Sequence, residues 1–133
     1  MTTAIKRTRR LRDDDGNAVV EFALVTPILL IVVLAVVQVI LALHVRSTLT
    51  AAAAEGARAA ALAGSSLAVG ERRTREVLDD AIGGGAATSV AASRARVNQV
   101  PVIRVQVTAR LPLLGMLGPE ALVVEGHAIV ERG

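Results

Sequence analysis

Few residues in this chain have side chains able to do chemistry, and their spacing narrows the chemistry further. His44 and His127 lie far apart, and neither belongs to a Ser-His-Asp order or an HExxH pattern, so acyl transfer and zinc hydrolysis find no constellation. There is no P-loop and no Rossmann glycine fingerprint. Cysteine is absent, which removes disulfides and thiolate zinc sites. The run Asp13-Asp14-Asp15 has no convergent ligands around it and reads as solvated charge. We therefore expect no catalytic residue, no metal and no cofactor, and a protein that is not an enzyme.

The pairing that remains is Gly16 with Glu21, five residues on, at the mouth of an apolar run. A glycine lets a scissile backbone lie extended in a tight protease site. A carboxylate beside a membrane must be interfacial, neutralised or paired. The run from Phe22 to Leu43 has 22 residues, about 33 Å as a helix against a hydrocarbon layer of roughly 30 Å. Five cations precede Gly16 (Lys6, Arg7, Arg9, Arg10 and Arg12), against 10 cations and 9 acids from Asn17 onward. The positive-inside rule keeps that head in the cytoplasm and exports the chain beyond Leu43. Residues 1 to 15 lack apolar periodicity and are expected to form a flexible leader. Pro27 removes a backbone donor and predicts a kink, with Thr26 or a neighbouring helix available to the freed carbonyl of Ala23. Gln38 reads as a helix–helix hydrogen bond or an interface position.

Beyond the membrane the helix is expected to continue to about Ala63, because Val45, Leu49, Ala52, Gly56, Ala59 and Ala63 follow 4-3-4-3-4 spacing. Ala52, Gly56 and Ala60 form a small-xxx-small ladder, open either to another subunit or to the chain's own sheet. Gly64-Ser65-Ser66 and Gly70 mark a loop. Glu71 to Ile82 reads as a short helix with Val77, Leu78, Ala81 and Ile82 on its apolar side and Gly83 as C-cap. Three strands come next at about 88–98, 103–110 and 121–131, the second with strict alternation of Ile103, Val105, Val107 and Ala109, and Pro101 at its start or on an edge. The expected fold class is α+β, with a long N-terminal helix on a small antiparallel sheet and one short extra helix. Its divisions are a leader (1–16), a long helix (17–63) containing the span 22–43, and an exported domain (64–133). The connection Leu111 to Glu120 is too apolar for a solvated loop and is expected to be covered, either by folding back on the small domain or, through Leu111, Leu113, Leu114, Met116 and Leu117, by a neighbouring subunit or the membrane surface.

The segment after the basic leader resembles the processing site of type IV prepilins, with Gly16 before the cut, Asn17 as the new N-terminus and Glu21 as the fifth mature residue. More narrowly, the stretch Glu21-Phe22-Ala23-Leu24-Val25-Thr26-Pro27-Ile28-Leu29-Leu30, then Ala53-Ala54-Glu55-Gly56-Ala57-Arg58-Ala59-Ala60, resembles TadE-like proteins, minor pilins or pseudopilins of the tight-adherence (Flp-type) pilus system; the resemblance takes in Leu111 to Leu114 and covers the chain from about Gly16 to Glu131. The resemblance implies cleavage by a membrane prepilin peptidase and insertion in lipid. It also implies association with other pilin subunits through the helix bearing Glu21, Phe22, Pro27, Ala52, Gly56 and Ala60. Major Flp pilins are much shorter and usually carry Tyr after the glutamate, whereas Phe22 and a sizeable exported domain stand here, which favours a minor component that initiates, caps or anchors a fibre. The newborn amine at Asn17 would pair with Glu21 of a neighbour.

The expected location is the cytoplasmic membrane, with one span and an exported C-terminal domain, or a pilus at the cell surface. Nucleic acid and small-molecule substrates are not expected, since Phe22 is the sole aromatic residue and stacking platforms are lacking. An uncleaved single-span protein with an exported binding or sensing domain is the competing reading. A secretory signal ending at Ala52-Ala53-Ala54 is weaker, as the apolar run is long and ends well before that site.

Overall fold

The computed structural model describes residues 5–83, 87–110 and 121–131. Along the chain come α1 (Ile5–Ala61), α2 (Leu67–Ile82), β1 (Ala87–Val97), β2 (Val100–Arg110) and β3 (Ala121–Ile129). The fold class is α+β, as the sequence patterns predict. The candidate contact segment 111–120, with Leu111, Leu113, Leu114, Met116 and Leu117, lies outside the described residues.

The chain divides into two compact units, Met1–Ile40 and Leu41–Gly133. The first is the N-terminal part of α1. It is rich in Val and Ile, residues whose branched Cβ mildly disfavours a helix in water. In lipid that preference is overridden, because only a helix satisfies every backbone group within one segment. The helix is long and apolar enough to cross a membrane. It starts at Ile5, so the expected flexible leader is helical over most of its length. No proline interrupts residues 5–16, and Gly16 alone costs about 1 kcal/mol. Pro27 sits inside α1. Thr26 Oγ1 donates to Phe22 O at 2.7 Å, which leaves the carbonyl of Ala23 without the hydroxyl partner anticipated for it.

The second unit is a sheet of order β1-β2-β3, antiparallel throughout, lying against α1 residues 41–61 and α2. Ile103, Val105, Val107 and Ala109 turn inward as their alternation requires, joined by Val90 and Val124. Against them lie Leu49, Ala52, Ala53, Ala57, Ala60 and Ala61. The buried stripe of α1 is therefore wider than the predicted one. Ala53, Ala57 and Ala61 join it, Ala59 is half-buried, and Ala63 is exposed beyond the helix end.

The hairpin β1–β2 turns on Asn98 (φ 49) and Gln99 (φ 69). Two positive φ angles make the type I′ geometry that matches strand twist. Pro101 is the second residue of β2, paired with Arg96, and its carbonyl accepts from Val130 N–H at 3.2 Å. A start-of-strand position suits a residue with no N–H to give.

Candidate functional site: the N-terminal helix

Gly16 and Asn17 are helical and exposed, and a Cβ built on Gly16 meets nothing within 4 Å. Glu21 is exposed four residues after Asn17, a spacing that puts the two on one helix face. Among the described residues Glu21 makes no ion pair or side-chain hydrogen bond. Phe22 is 72% exposed, and Leu24, Ile28, Leu29, Ile31, Leu34 and Ile40 are also more than half exposed. Pro27 and Gln38 are exposed as well. This is a surface that water would not tolerate unaided, and it far exceeds the apolar patch of an ordinary soluble monomer.

Further along α1 the small-residue ladder is occupied within the chain. Ala52 is wholly buried, Gly56 is buried, and Ala60 nearly so. The cause is backbone proximity. A Cβ on Gly56 would collide with Thr74 Oγ1 and stand 2.6 Å from Gly70 O. One on Gly70 would stand 2.7 Å from both Gly56 O and Ala60 Cβ. Two glycines thus face each other where α1 and α2 cross. On the other side, a Cβ on Gly126 of β3 would strike the backbone of Ala53 and Ala54. Of the two openings weighed for the ladder, the chain's own elements fill it.

The α1–α2 contact is where reading the sequence fell short. Gly70 belongs to α2, not to a loop, because the helix begins a turn early at Leu67. Its buried residues are Gly70, Thr74 and Leu78, at steps of four, while Ala81 is exposed. Thr74 Oγ1 satisfies itself by donating to Gly70 O at 2.9 Å. The i, i+4, i+8 spacing was the available signal. The C-cap is as expected: Gly83 N–H donates to Asp79 O at 3.2 Å with φ 81. On the rim, Arg73 reaches Glu55 at 3.2 Å and Glu76 at 3.5 Å. The Glu55 hydrogen bond and charge, with those of Glu76, raise the Arg73 pKa above its ordinary value.

The histidines serve no common site. His44 is exposed, and its carbonyl accepts from Thr48 Oγ1 at 3.1 Å. His127, on the outer sheet face, accepts from Arg104 Nε at 3.2 Å beside Glu125, 3.7 Å away. Among the described residues no three His, Asp or Glu side chains gather as metal ligands. A cavity of about 170 Å³ between Arg75, Leu78, Asp79, Gly83 and Ala87 falls below the roughly 300–1,000 Å³ of small-molecule sites.

No curated protein and no solved structure matches the chain. Residues 16–58 match the family model of TadE-like proteins. The matched segment begins at Gly16, contains the exposed apolar helix and ends in the buried stripe of small residues. Over that segment, from the glycine before Asn17 to Arg58 near the end of α1, the chain is similar to TadE-like proteins.

Proposed function

We propose that this chain is a minor pilin or pseudopilin of a Tad (Flp-type) pilus, structural and not enzymatic, anchored by α1 in the cytoplasmic membrane with its N-terminus inside and its sheet domain exported. A prepilin peptidase cuts after Gly16. The new Asn17 amine pairs with Glu21 of a neighbouring subunit, and the exposed apolar face from Phe22 to Leu43 packs in lipid or against other pilin helices. The role is to initiate, cap or anchor the fibre, with cell adhesion as the downstream effect.

The observation that carries this reading is the family match, which begins at Gly16 and runs through the exposed helix. The exposure of Glu21, without an ion pair among the described residues, supports the counter-ion role, since a carboxylate entering an apolar bundle gains most from an opposite charge. Occupation of the Ala52–Gly56–Ala60 ladder by α2 and the sheet favours the exposed apolar half of α1 as the surface for subunit packing.

Mass and N-terminal analysis of the protein from a host with an active prepilin peptidase tests the reading. We expect a chain beginning at Asn17. An intact leader there sinks the processing step and favours an uncleaved single-span protein with an exported binding domain. Glu21→Ala should be processed yet fail to join the fibre, and normal incorporation would refute the amine–carboxylate pairing.

A further inference from the structure

In a sheet of order β1-β2-β3 the two outer strands each leave one row of backbone groups unpaired by the sheet. On β1 two groups of that row are occupied. Ala92 N–H donates to Glu71 Oε1 at 2.9 Å, and Val90 O accepts from Arg75 Nη2 at 3.4 Å. Alternate residues of a strand aim their backbone groups the same way, so both bonds lie on the edge away from β2. Glu71 and Arg75 stand four apart on α2, one turn of about 5.4 Å, which spans the two edge groups. Further along β1, Arg94 and Arg96 continue the parity of Val90 and Ala92 and are exposed, and charges in that register also deter strand addition. Among the described residues no side chain hydrogen-bonds the backbone of β3.

We propose that Glu71 and Arg75 are an edge cap that prevents β1 from accepting β3 of a second copy. Both outer strands run antiparallel to β2 and hence parallel to each other. Copies side by side in one orientation therefore present β3 of one to β1 of the next. Such a contact is head-to-tail and does not close, so it would grow without limit. The cap goes beyond the pilin reading and does not depend on it.

The chain has no cysteine, so engineered thiols report without background. Two tagged full-length copies, one Ser93→Cys and one Glu125→Cys, are co-expressed in membranes and treated with a short bismaleimide. With Glu71→Ala in both copies we expect about tenfold more mixed dimer than with Glu71 intact, the effect of one lost competing hydrogen bond. Glu71→Gln keeps an acceptor oxygen and should stay at the starting level. Adding Ala92→Pro to Glu71→Ala removes the edge donor and should abolish the gain. A folded Glu71→Ala chain with no gain, or a gain that survives Ala92→Pro, overturns the proposal. So does a Glu71→Ala chain that fails to fold, which would make Glu71 a support of the domain and not a guard.

Discussion

One helix, α1, is used in two opposite ways. Before Ile40 its apolar side chains are mostly large, branched and exposed; beyond Val45 one face is buried and, Leu49 apart, built of small residues, with Leu49, Ala52, Ala53 and Ala57 wholly covered. Bulk is placed on the half that is long and apolar enough to cross a membrane. Smallness is placed where rigid backbones must approach, as at Gly56–Gly70 and Gly126–Ala53. Apolar content alone therefore says little about a helix's partner, and side-chain volume says more.

The strongest test of that contrast removes the same atoms from each half. Leu49→Ala should cost the sheet domain about 2–5 kcal/mol, the range for a buried leucine, while Leu34→Ala should leave its thermal midpoint unchanged; equal effects would erase the distinction. Reversing the probe, Leu34→Arg should cost about 3 kcal/mol in membrane insertion and nothing in domain stability, as read by a glycosylation-mapping assay and by limited proteolysis. Glycines give the next comparison. Gly56→Ala should lose about 1–3 kcal/mol from overpacking against Thr74 and Gly70, whereas Gly16→Ala, with open space around it, should not lower the domain's denaturant midpoint. A smaller gain is expected at the hairpin, where Gln99→Gly relieves a positive φ by about 0.5–1 kcal/mol. Smallest is Arg73→Ala, which removes solvent-exposed pairs and should leave the midpoint unmoved in 1 M salt. Arg73 gives no pH dependence near neutrality. Its folded pKa is raised, so whatever it contributes is present at all lower pH and lost only when strongly alkaline pH passes the folded value.

Much of this architecture was legible in the residues. The strands announced themselves because a sheet with one wet face must alternate, as Ile103 to Arg110 does. The apolar run from Phe22 to Leu43 was legible because its length matches a hydrocarbon layer. What stayed hidden was whatever depends on two segments meeting. Gly70 looked like punctuation, since nothing in its neighbours reveals that Gly56 will lie against it. The bonds of Glu71 and Arg75 were hidden too, since the β1 edge they reach is 15 to 21 residues away. The turn at Asn98-Gln99 lacked the Asn-Gly signature, so its hairpin was set by strand pairing and not by turn preference. At the candidate site, the pattern Gly16, Asn17 and Glu21 is local in sequence, and the fold adds only their exposure on one helix.

The unbroken course of α1 through Gly16 and Asn17 has a kinetic consequence for the proposed cut. A protease grips extended backbone, so roughly three helical turns from Ile5 to Gly16 must come undone before the scissile bond is offered. Maturation would then be gated by how often this end frays, and Gly16, the weakest helix former of those turns, would act as its fuse. Any change that stiffens the leader helix should lengthen the lifetime of the precursor, even with the recognition residues untouched.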